Sequence, residues 1–106
     1  MRVVVDGVTV AETARPRFLF ETGLPRRIYI PREDVRGEVL VPSETRTACP
    51  YKGTAGYFSL YINGRTHPDL AWFYADPLPE AERIRDYLCF FEEKVDAIYL
   101  DGEARS

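Results

Sequence analysis

Cys49-Pro50-Tyr51-Lys52-Gly53-Thr54-Ala55, running on into Gly56-Tyr57-Phe58-Ser59, gathers residues that seldom serve a plain strand. It holds one of two cysteines and one of two lysines, beside a proline, two glycines and two tyrosines. Proline fixes φ and removes a backbone donor, and the glycines permit geometries closed to other residues. Cysteine and lysine are the side chains most readily tuned into nucleophiles. The stretch reads as a shaped loop entering a strand, and as the floor or rim of a site. It specifies no reaction.

Outward from this stretch, the chain of 106 residues is long enough for a single domain, one that buries roughly two thirds of its unfolded surface. Acids outnumber bases 17 to 14, and the basic charge is almost all arginine, spread without a stripe. Neither nucleic acid nor an anionic membrane is expected as a partner. The amino terminus, Arg2-Val3-Val4-Val5-Asp6, lacks the apolar run of a signal peptide or a membrane span, so a cytoplasmic location is expected. Cys49 and Cys89 form no Cys-x-x-Cys pair and read as thiols. With His67 the single histidine, the chain supplies no Cys/His zinc set of its own, and no cofactor is expected.

Asp6-Gly7, between β-branched runs Arg2 to Asp6 and Val8 to Thr13, predicts a tight hairpin. Arg15 to Thr22 reads as a strand with Phe18 and Phe20 on one face and Leu19 and Glu21 on the other. Arg26 to Ile30 is a short strand stopped by Pro31, residues 31–37 a turn or one helical turn, and Glu38 to Val41 a strand. Pro42 to Thr47 reads as a connection whose hydroxyls satisfy loose backbone donors. Tyr57 to Ile62 alternates, Asn63-Gly64 signals a second hairpin, and the return strand carries Trp72, Phe73 and Tyr74. Asp76-Pro77-Leu78-Pro79 offers a cap, and Ala81, Ile84, Leu88 and Phe91 recur at helical spacing, which predicts one late α-helix. Val95 to Leu100 closes as a strand. The whole predicts a mainly β domain, a curled antiparallel sheet or small barrel with one C-terminal α-helix covering a face.

The succession Phe20-Glu21-Thr22-Gly23-Leu24-Pro25, Tyr29-Ile30-Pro31 with Asp34-Val35, Cys49-Pro50-Tyr51-Lys52-Gly53, and Ala71-Trp72-Phe73-Tyr74-Ala75-Asp76-Pro77 resembles the DUF427 family over nearly the whole chain. That resemblance implies the β-tent fold, two sheets meeting at an angle, as in Mss4-like domains and methionine sulfoxide reductase B. Many relatives of that fold hold zinc on cysteine pairs, which this chain lacks, so their chemistry does not carry over. The family carries a nucleotidyltransferase label. Such chemistry normally needs metal-holding carboxylates and a phosphate-cradling loop. Glu33 and Asp34 are adjacent and point apart if extended, and Gly53-Thr54-Ala55-Gly56 lacks the Walker spacing.

Two functional classes follow. In the first, a small-molecule pocket is lined by the Cys49–Gly53 loop and the Trp72/Tyr74 strand. There Cys49 or Lys52 supplies a nucleophile or anion contact, Glu21 and Asp34 orient the ligand or move protons, and Tyr51 or Tyr57 joins Trp72 and Tyr74 as an aromatic wall. Whether that pocket is also catalytic is left open by the sequence. In the second, the same concavity is a non-catalytic interaction module, with Cys49 and Lys52 only fixing the loop; Lys52 then pairs with Glu21 or Asp34. Cys89 reads as core, flanking the apolar stripe. His67, beside Pro68 in a hairpin arm, reads as exposed. Exposed strand edges make a homodimer an additional expectation.

Overall fold

The computed structural model describes residues 1–20, 23, 25–100 and 103–105, with the backbone alone at 103–105. Strands β1 (Arg2–Val5) and β2 (Val8–Glu12) form the first hairpin, and Asp6 and Gly7 both take positive φ, 51° and 75°. That is the turn whose twist matches the strands it joins. The following strands are β3 (Arg17–Leu19), β4 (Arg27–Ile30), β5 (Leu40–Cys49), β6 (Gly53–Ile62), β7 (Arg65–Phe73) and β8 (Leu88–Phe90). The last two are β9 (Ala97–Leu100) and β10 (Glu103–Arg105). They build two antiparallel sheets, a four-stranded one in the order β10-β9-β1-β2 and a six-stranded one in the order β3-β4-β8-β7-β6-β5. The second expected hairpin joins β6 to β7, with Asn63 and Gly64 at φ 53° and 76°.

Three expectations are corrected. Among the described residues no α-helix forms near the C-terminus: Pro79–Ile84 is a short 3₁₀ segment, and Leu88–Phe90 is a strand inserted between β4 and β7. The spacing of Ala81, Ile84, Leu88 and Phe91 suits a helix, but Asp86 takes φ 59°, which breaks one, and β8 gains hydrogen-bonded partners on both sides. Tertiary pairing overrides the local period. The sheets are two separate open arrays, neither one curled sheet nor a barrel. Finally, Pro42 to Thr47 lies within β5, whose register with β6 shifts between Pro42 and Arg46. Its hydroxyls turn to Asp69: Ser43 donates to Oδ1 at 2.5 Å and Thr45 to Oδ2 at 2.7 Å.

The main core lies between the sheets. Val3, Val5, Val10 and Ile98 of the small sheet meet Leu60, Leu88 and Phe90 of the large one. A second cluster occupies the outer face of the large sheet, where Tyr29, Trp72, Tyr74 and Cys89 pack under Ala81 and Ile84 of the 3₁₀ segment. Both faces of the large sheet are thus covered at its centre. This explains why all three residues of β8 are buried, Leu88 and Phe90 toward one cluster and Cys89 toward the other.

Candidate functional site

The register of the large sheet sets Tyr29, Cys89, Trp72 and Tyr57 side by side on four neighbouring strands. Facing side chains in such a row touch. Trp72 donates its indole N–H to the Tyr29 hydroxyl at 3.2 Å, the two rings standing at 90° with centroids 6.5 Å apart. Phe91, just past β8, packs on Trp72 at 4.5 Å between centroids. The Arg27 guanidinium lies 5.1 Å over the same indole. Tyr57 is held at its tip by Thr47, hydroxyl to hydroxyl at 2.9 Å.

Above this row opens a cleft of about 200 Å³. Tyr29, Trp72 and Tyr74 make its buried floor, and Tyr57, Phe91 and Pro25 its sides. Arg27 and Lys52 are the two cations on its described lining, which includes no carboxylate.

The Cys49–Gly53 stretch heads one end of the cleft as a hairpin turn. Cys49 closes β5 opposite Gly53, which opens β6 at φ 113°. Only glycine enters that conformation readily, and a β-carbon there would also lie 3.3 Å from the Asp76 carbonyl oxygen. The close approach lets Leu78 donate its N–H to the Lys52 carbonyl at 2.8 Å. The second glycine answers a different need. A β-carbon on Gly56 would sit 2.6 Å from Cζ of Phe73, its cross-strand partner, so the ring occupies the space of the missing side chain.

The 3₁₀ segment is fastened beside the cleft by Arg85, which forks onto both carboxylate oxygens of Glu82 and donates to the Ala75 carbonyl at 3.1 Å. The pairing holds the Glu82 carboxyl below its ordinary range and raises the guanidinium's pKa.

Of the residues singled out from sequence, Lys52, Tyr57, Trp72 and Tyr74 line the cleft together. Cys49 is partly buried against the aromatic cluster and does not line it. Tyr51 is 68 % exposed and does not line it either. Asp34 sits elsewhere, accepting from the Thr13 hydroxyl at 2.7 Å with Arg15 at 3.8 Å, so the expected contact across the pocket to Lys52 is not the one it makes. Glu21 lies outside the described residues. His67 is half-buried rather than exposed, its Nε2 3.5 Å from Asp6 Oδ2, and it is not part of the cleft lining. Cys89 is core, and burial pushes its thiol far up. Sequence reading missed Arg27, Tyr29 and Phe91 as lining residues. Tyr29 and Trp72 face the same side only because β8 falls between their strands, a register that local pattern does not announce.

Among the described residues no three His, Cys, Asp or Glu side chains gather as a metal set, and no helix is long and apolar enough to cross a membrane. No curated protein matches the chain. The family model described as Domain of unknown function (DUF427) matches residues 1–101, so the chain belongs to that family.

Proposed function

We propose that this DUF427 domain is a small-molecule binding module whose ligand inserts a planar ring into the cleft over Tyr29 and Trp72. The observation that carries this is the aromatic row itself: three strands each deliver a ring to one side of the sheet, and Arg27 and Lys52 flank it. Ligand sites combine such apolar, aromatic walls with a few placed polar groups. The cleft is smaller than the roughly 300–1,000 Å³ usual for drug-sized ligands, which favours a ligand of one ring or a fused pair. The β-tent arrangement belongs to the same reading, supported by two sheets sharing one core. So does a reducing compartment, in which Cys49 and Cys89 stay free.

Trp72 is the only tryptophan, so its emission reports on the cleft floor. Titration with benzamide, set against the non-planar cyclohexanecarboxamide, tests the reading. A saturable change with benzamide alone, lost in Tyr57→Ala, is the expected result. The reading fails if benzamide leaves the emission unchanged or if the two amides act alike.

A further inference from the structure

Arg27 belongs to two concavities at once. On one side it lines the aromatic cleft, and on the other it borders a groove shared with Arg26, Glu92 and Glu93. Its guanidinium lies over the Trp72 ring, which orients the planar fork. Yet its one ion-pair partner among the described residues is Glu93, met through a single nitrogen at 3.8 Å, with the Glu93 side chain 63 % exposed. A charge-assisted hydrogen bond between such groups runs to about 2.7–2.9 Å, and a guanidinium presents five donors in a plane. The contact to Glu93 therefore leaves most of the fork's capacity unused, and an exposed pair of this kind holds weakly. Glu93, on the groove side, shows that a carboxylate comes to this guanidinium.

From this we infer that the ligand is a small aromatic carboxylate, and that Arg27 is the specificity-determining residue. It exchanges Glu93 for the ligand's carboxylate while the ligand's ring rests in the cleft. The inference rests on the cleft's binding planar rings, as proposed above, and adds the charge and the group that reads it. Its place over the Trp72 ring restrains the guanidinium, and a planar fork so restrained loses less freedom when it meets a carboxylate. Glu93 then acts as an internal competitor.

The test is a matched pair of probes, benzoate and benzamide, alike in shape and different in charge, titrated against Trp72 emission in the full chain. Wild type should bind benzoate at least about tenfold more tightly than benzamide. Arg27→Met, which removes the charge and keeps a long unbranched side chain, should bring the ratio of the two affinities close to one, the benzoate affinity falling more than the benzamide affinity. Glu93→Gln, a change at an exposed position, should tighten benzoate severalfold and leave benzamide unmoved, and it remains informative if Arg27→Met folds poorly. Equal binding of the two probes by wild type overturns the inference and leaves the planar-ring reading standing. So does a benzoate preference that survives Arg27→Met, or a Glu93→Gln variant indistinguishable from wild type. If neither probe registers, the planar-ring reading fails and takes this inference with it.

Discussion

The indole N–H of Trp72 ends on the Tyr29 hydroxyl, 3.2 Å away and shielded from water, with both residues on the floor of the cleft. A buried donor stripped of its partner costs about 1–3 kcal/mol. Tyr29→Phe should therefore lower unfolding free energy by about that much in urea titration while the fold is retained. A loss under about 0.5 kcal/mol would mean the bond contributes no more than an ordinary surface contact.

Gly56 and Phe73 are complementary in shape. Gly56→Ala forces the ring aside and should destabilise by on the order of 1 kcal/mol, the low end of overpacking costs, because Phe73 is only partly buried and can yield. In a Phe73→Leu background the penalty should shrink, and a double-mutant cycle measures the difference. An unchanged penalty would place its origin in the backbone rather than the ring.

Asp69 takes φ 47° and accepts hydrogen bonds from Ser43 and then Thr45, which together hold its carboxyl below the ordinary value near 3.8. The folded state thus binds its proton less readily than the unfolded chain. The resulting stability is complete above the ordinary value and disappears as pH falls through the lowered one. Asp69→Asn keeps a residue tolerant of positive φ. It should flatten the acid limb of a stability-against-pH curve, an effect kept small by solvent. An acid limb identical to that of wild type would show that the two hydroxyls contribute nothing to it.

Burial raises the Cys89 thiol, whereas in the unfolded chain a cysteine ionises at about 8.5. Above that value the unfolded state sheds a proton the folded state keeps, so stability should decline with rising pH, and Cys89→Ala should remove that slope. Brief iodoacetamide treatment of the folded protein, read by mass spectrometry, should mark Cys49 and spare Cys89. Equal labelling would contradict the packing of β8.

The four-residue logic of a tight turn is written into Asp6-Gly7 and Asn63-Gly64, and both hairpins stand where those pairs stand. Alternation over Tyr57 to Ile62 likewise needs only neighbours along the chain. Membership in a mainly β family was legible in the motifs at Cys49–Gly53 and Ala71–Pro77, since those residues serve one local join, the Gly53 turn lying against Asp76 to Leu78.

What local pattern could not decide is the fate of the segment after Tyr74. Its apolar residues satisfy a helical period, but Leu88, Cys89 and Phe90 also satisfy a strand's, and the choice falls to the hydrogen bonds that β4 and β7 offer on either side. The cleft follows from that choice. Arg27, Phe91 and Trp72 are far apart along the chain, and only the insertion of β8 brings them to one face. The amino-acid sequence by itself determined the turns, the strand-rich character and the glycines that permit close approach. Strand order, and with it the grouping of rings and cations into a site, was decided by long-range pairing, whose energy depends on partners that no local window contains.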